Sequence, residues 1–194
     1  MGNLTNNDFL GTSEMACLFY CFNVIIYVGG CMAKKYLYHG TDLKSAESIV
    51  KNSINLSKSR SGLDFGKGFY LTNNFGQAKN WALRKDLRNG GTVISFSVEP
   101  QAWTALKKRK YNAANDEWGN VIFENRINNN DILDGYDVII GPMADGDIAI
   151  LTELAKASRI TKDEFITGIK NIGIQFTSKT EKAVKSLQIE EGVK

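Results

Sequence analysis

His39 is the only histidine of the chain, and it stands in the run Leu37-Tyr38-His39-Gly40-Thr41. An imidazole can donate and accept hydrogen bonds near neutral pH, which suits it to a ligand hydroxyl. The glycine beside it, having no side chain, lets a planar group approach the backbone. A second run, Phe65-Gly66-Lys67-Gly68-Phe69-Tyr70, brings an aromatic ring in behind a turn. Each run alone has a plainer explanation. The histidine could be a strand-end residue satisfied by a backbone carbonyl, and the tyrosine a core residue packed for its area. A lone histidine excludes His-rich metal sites and a zinc protease motif. No Walker A sequence occurs. Gly66-Lys67-Gly68 lacks the third glycine of a dinucleotide fingerprint and leads into a strand. There is no G-x-S-x-G elbow, although counting leaves a Ser–His–acid set open. Cys17 and Cys21 could share a helix face, yet no second ligand pair exists for zinc.

The elements that must position these residues follow from periodicity. Tyr36–His39 alternates like a short strand. Thr41 and Asp42 offer N-cap oxygens to a helix with Leu43, Ala46, Ile49 and Val50 on one face. Ser57–Lys67, rich in Ser, Gly and charge, reads as a surface loop. Gly68–Thr72 is a second strand, and Phe75–Leu87 a helix burying Ala78, Trp81 and Ala82. After a Gly90-Gly91 turn, Ile94, Phe96 and Val98 alternate with serines in a half-buried strand. Trp118, Val121, Ile122 and Asn125 step at helical spacing. Asp137–Ile140 is a buried strand ending at Gly141-Pro142, followed by a helix around Ala149–Ala157. Thr161 and Glu164 form a capping-box pattern for a helix that Gly173 stops. Ile174–Thr177 is a last strand, and Thr180–Leu187 a terminal helix. Without a steady βαβ alternation, the class is α+β.

At 194 residues the chain fits one domain. Hydrophobic residues at 43% and charged residues at 23% are ordinary for a globular protein. A net charge of +3 gives no strong nucleic-acid signal. All three cysteines fall at or before Cys31, so no disulfide framework is expected and the body reads as cytoplasmic. Met15–Met32 carries no charge and sits at the lower limit for a membrane span. Lys34 and Lys35 would then keep the body on the cytoplasmic side. Met32-Ala33-Lys34-Lys35 also looks like a natural start. Residues 1–31 are therefore read as an upstream-start extension, a membrane anchor or a packing helix, and 32–194 as the domain.

Together the two runs resemble the first two motifs of ADP-ribosyltransferases of the poly(ADP-ribose) polymerase type. More closely, roughly residues 36–188 resemble a bacterial family catalogued as domain-of-unknown-function family 3990. The matching pieces are Leu63-Asp64-Phe65-Gly66 through Thr72, Gln77-Ala78, Trp81-Ala82, Trp118, Asn125-Arg126, Tyr136–Pro142, Ala144-Asp145, and Gln175 with Thr180–Ala183. The resemblance implies an ADP-ribosyltransferase-like split β-sheet core with flanking helices. It implies NAD as the substrate and no metal. His39 would contact a ribose hydroxyl, Gly40 the carboxamide, and Tyr70 the nicotinamide ring. Thr41 and Gly68 would line the same pocket. Trp81 would be either a second aromatic wall or a core residue of its helix.

The family's pattern is broken twice. A carboxamide-binding serine aligns with Ala78, and the catalytic glutamate aligns with Gln175, which carries no charge to stabilise an oxocarbenium ion. Polymer synthesis is therefore not expected. Glu181 reads as solvated, and Glu124 as a weaker substitute. The implied activity is mono-ADP-ribosyl transfer to an unidentified acceptor, as in a bacterial toxin or defence factor with a cognate antitoxin or inhibitor. The alternatives are an inactive NAD- or ADP-ribose-binding module and a membrane-tethered interaction domain.

Overall fold

Strand alternation and capped helices generate most of the observed elements. The computed structural model describes residues 34–190 apart from 89 and 146, all within one unit, Ala33–Lys194. The cysteines and the Met15–Met32 stretch lie outside the described residues. The elements begin with β1 (Lys35–Thr41), α1 (Leu43–Asn52), β2 (Phe69–Thr72), α2 (Phe75–Lys85) and β3 (Thr92–Val98). Next come β4 (Lys108–Lys110), α3 (Asp116–Arg126), β5 (Val138–Asp145) and α4 (Ile148–Lys156). The described elements finish with α5 (Lys162–Gly168), β6 (Lys170–Ser178), α6 (Glu181–Lys185) and β7 (Gln188–Ile189). The class is α+β: one seven-stranded sheet in the order β4-β5-β6-β2-β1-β3-β7, antiparallel except for β4 against β5.

Side-chain oxygens start the helices where the sequence offers them. Asp42 accepts from the Ser45 N–H at 2.8 Å, Asn74 caps α2, and Thr161 with Glu164 closes a capping box on α5. Each satisfies donors that a helix end otherwise leaves unpaired.

The two faces of the sheet bury different cores. On one face Leu37, Phe69, Leu71, Ile94, Phe96 and Phe176 pack beneath Ala46 of α1 and Ala183 and Val184 of α6. The opposite face carries two separate clusters. Phe65, Ile139 and Tyr70 join residues of α3, α4 and α5 in one, while Ala78 and Ala82 of α2 meet Val93 and Tyr38 in the other. Between them runs one cross-strand row, Tyr38, Thr72, Gln175 and Gly141, paired neighbour to neighbour. Thr72 and Gln175 are both buried, so a polar seam divides the apolar clusters.

Several sequence expectations need correction. Ser57–Lys67 is not simply a surface loop, because Asp64 and Phe65 at its far end are buried. Trp81 is 46% exposed, so α2 packs through its alanines and not its tryptophan. β5 runs on through Gly141-Pro142 to Asp145. Proline is tolerated there because β4 pairs β5 only as far as Ile140, leaving an edge at Pro142 that needs no donor. α5 stops at Gly168, not Gly173, and β6 begins already at Lys170. The terminal helix is only Glu181–Lys185, because the chain then adds the short strand β7 beside β3. Strands β4 and β7 are too short for periodicity to reveal. Among the described residues no helix is long and apolar enough to cross a membrane.

Candidate functional site

His39 stands where β1 parts from β2. Among the described residues these strands share one bridged pair, Tyr38 with Thr72. Beyond it the imidazole takes over the ladder, with Nδ1 2.7 Å from the Tyr70 carbonyl oxygen. A carbonyl only accepts, so Nδ1 carries the proton and Nε2 of the neutral ring is an acceptor. The ring lies against Phe69, centroids 4.3 Å apart. Burial holds the imidazole below its ordinary pKa, outweighing the opposing bond to Tyr70; Lys85 lowers it further and Asp42 raises it. The ring is therefore neutral at pH 7. Strand alternation puts His39 on the face of Leu37 and Ile94, opposite the face that carries Tyr70 and Gln175. The structure thus joins His39 to the backbone of Tyr70, not to its ring.

Tyr70 points into the cluster under α3 and α5. Its hydroxyl donates to the Gly66 carbonyl at 2.7 Å and accepts from the Phe65 N–H at 3.0 Å. Burial, with the Asp64 carboxylate second, drives its pKa well up, so it remains a donor. These bonds fold the 63–68 loop back over its own tyrosine. Gly66 sits at φ +73, and a β-carbon there would lie 2.3 Å from the Asp131 carboxylate, so only glycine fits. Gly68 is tied on both sides, its N–H and its carbonyl bonded to the Ser59 hydroxyl. The outer side of this loop lines a cavity of about 540 Å³ with Asn125, Asp131 and Lys179. The Lys179 ammonium meets both Asp131 oxygens at 2.8 Å and the Phe65 carbonyl at 2.7 Å.

Gln175, 2% exposed, lies in a buried polar network. Its Nε2 donates to Asp64 Oδ2 at 2.8 Å and to the Pro142 carbonyl at 3.0 Å. Asp64 Oδ1 receives both Nε and Nη2 of Arg126, each at 2.7 Å, and Oδ2 also receives the Ala144 N–H. Asn125 fixes the Asp64 backbone, donating Nδ2 to its carbonyl at 3.1 Å. Beside Gln175 in the seam, the Thr72 hydroxyl donates to Gln77 Oε1 at 2.5 Å, and Gln77 in turn donates to the Ile172 carbonyl.

α2 closes the other side of the seam. A β-carbon on Gly40 would stand 1.9 Å from the Ala78 carbonyl oxygen and 2.9 Å from the Ala82 nitrogen. The missing side chain of Gly40 is thus filled by helix backbone. Ala78 is buried at that contact. Trp81 stands clear of the core, with the Lys85 ammonium 5.4 Å above its ring. Thr41 is buried at the end of β1, its hydroxyl near Asp42. Glu181 is exposed on α6, and Glu124 pairs with Lys162 and Asn128. Asp64 is the buried carboxylate beside Gln175, paired with the half-buried Arg126, and neither residue stands in the two motif runs. An acid in a Ser- and Gly-rich loop reads as solvated, and no local signal announces its burial. Among the described residues no cluster of His, Cys, Asp or Glu could hold a metal ion.

A family model described as "Protein of unknown function (DUF3990)" matches residues 36–189. No curated protein matches the chain.

Proposed function

The chain belongs to the DUF3990 family, and from that premise we propose that it is a mono-ADP-ribosyltransferase taking NAD as its substrate. One arrangement carries the reading. The three strands bearing the motif residues lie side by side as β1, β2 and β6, and the sheet parts at His39. NAD would thread that parted edge, an ADP-ribosyltransferase-like split, so that it meets His39 from one face of the sheet and Tyr70 and Gln175 from the other. His39 Nε2 accepts from a ribose hydroxyl. The β1 edge at Gly40 and Thr41 pairs with the carboxamide, Tyr70 and Gly68 form the nicotinamide wall, and Trp81 covers it from α2. Gln175 orients the ribose. The bond between ribose C1′ and the nicotinamide nitrogen breaks, and the electron pair leaves with nicotinamide. An acceptor nucleophile then bonds to C1′ from the opposite face and gives its proton to solvent. Positioning supplies much of the rate, because a bound acceptor replaces a bimolecular encounter.

A second reading, an NAD- or ADP-ribose-binding module without turnover, is favoured by one observation: Gln175 is uncharged and the adjacent Asp64 is already paired with Arg126. Incubating the protein with adenylate-labelled NAD and a cell lysate separates the two. Label transferred to an acceptor, identified by mass spectrometry, supports transfer. NAD binding with neither transfer nor nicotinamide release supports the module. Under both, His39→Ala loses NAD binding by calorimetry; unchanged binding in that variant defeats both.

A further inference from the structure

We infer that Asp64 is the positioning residue of this site, fixing which way the Gln175 amide faces and polarising its oxygen toward the ligand. The inference rests on the NAD reading for its ligand, but the amide orientation stands on the free protein alone.

A glutamine amide has two donors on one end and an acceptor on the other, and nothing covalent decides which end faces where. At Gln175 the surroundings decide it. Nε2 has two hydrogens and two acceptors within reach, Asp64 Oδ2 at 2.8 Å and the Pro142 carbonyl at 3.0 Å. Neither can donate. Pro142 offers a carbonyl, and both Asp64 oxygens already receive N–H groups, from Arg126 and from Ala144. Turning the amide over would set Oε1 against two oxygens and forfeit both bonds in a site where Gln175 and Asp64 are 2% and 4% exposed. An unmade bond between buried groups is costly. Oε1 is consequently the end left for a ligand, and it accepts. A ribose hydroxyl, which donates, is the partner that fits.

Asp64 does more than choose the direction. A carboxylate that draws on the amide hydrogen increases the electron density on the far oxygen, because hydrogen bonds in series reinforce one another where the dielectric is low. The neutral Gln175 thereby gains part of the negative character of a carboxylate. Arg126, with two bonds to Oδ1, and the Ala144 N–H hold Asp64 in the one orientation that aims Oδ2 at Gln175.

Two measurements test this. The first reads the side-chain amide signals of Gln175 by NMR in the wild-type protein, assigned by their absence in Gln175→Leu. Both Nε2 protons are expected to exchange slowly with solvent. Exchange as fast as that of the exposed Gln101 amide would overturn the proposal, whether or not the protein turns over NAD. The second compares Asp64→Asn with wild type in NAD turnover. Whichever way it is turned, the asparagine NH2 faces two donors, the Arg126 guanidinium or the Gln175 amide with the Ala144 N–H, so the bond to Gln175 is lost or loses its charge. The kcat is expected to fall roughly 10- to 100-fold, with KM for NAD moving less than about threefold. Wild-type kcat in that variant would overturn the proposal. If Asp64→Asn does not fold, the wild-type amide measurement still decides.

Discussion

A glutamate at position 175, the residue that the resemblance to polymerase-type enzymes would place there, should damage this protein. Gln175→Glu replaces a donor with an oxygen 2.8 Å from Asp64 Oδ2 and 3.0 Å from the Pro142 carbonyl. Two unit charges at 2.8 Å repel by about 6 kcal/mol at an effective dielectric of 20. The folded protein escapes by binding a proton between the carboxylates. Starting from an ordinary glutamate value, that proton costs about 4 kcal/mol at pH 7. The cheaper route sets the penalty, and the Pro142 carbonyl or Asp64 loses a donor worth about 1 kcal/mol besides. The variant is therefore expected to be less stable than wild type by about 4–5 kcal/mol at pH 7, and by only about 1 kcal/mol near pH 4.5. The sign follows because the folded variant holds a proton that the unfolded chain releases. The shared site has a raised pKa, so stability is present at low pH and lost as pH rises. Urea unfolding at pH 7 and pH 4.5 measures the difference directly. A second change, Asp64→Asn, removes the repulsion and gives the new carboxylate a donor, but it turns that donor toward the Ala144 N–H as well, so it should recover only part of the loss. A Gln175→Glu variant as stable as wild type at pH 7, or one whose deficit ignores pH, would refute the reasoning.

Gly40→Ala pushes a β-carbon to 1.9 Å from the Ala78 carbonyl oxygen, and helix backbone cannot swing aside as a side chain does. A loss of about 3 kcal/mol is expected, read as a fall in Tm; an unchanged Tm means that α2 does not seat on β1 as described. His39 is held neutral by burial and is the only histidine. Below its ordinary value of about 6.5 the unfolded chain binds a proton that the fold resists, so stability should decline from pH 7 to pH 5.5. His39→Gln should flatten that slope in denaturant titrations, and an equal slope in both proteins counts against a ring held neutral. Trp81→Ala, at a residue 46% exposed, should change stability by less than about 1 kcal/mol. If Trp81 covers NAD, affinity falls roughly three- to tenfold, and calorimetry showing equal affinity removes it from the site.

Local chemistry was legible in the sequence. Asp42 and the Thr161–Glu164 pair cap helices because their side chains reach backbone donors only a few positions away. Ile94, Phe96 and Val98 alternate into the core, and Trp118, Val121, Ile122 and Asn125 share the buried face of α3. Period and capping act over a few residues, so they are written in order along the chain. Positions 39, 70 and 175 were singled out by resemblance and not by period, and their roles belong to the proposed function.

What only the tertiary structure decided is who meets whom. The strand order sets β6 against β2 and brings Gln175 under Asp64, 111 residues away along the chain. That contact turned an acid of a polar loop into the buried charge of the site. The same packing set Trp81 outward and gave the space beside Gly40 to helix backbone. Strand alternation fixed that His39 and Gln175 point to opposite faces, but only the pairing of β1, β2 and β6 revealed it. Burial and charge pairing depend on distances through space, and a linear pattern does not encode those until the sheet has closed.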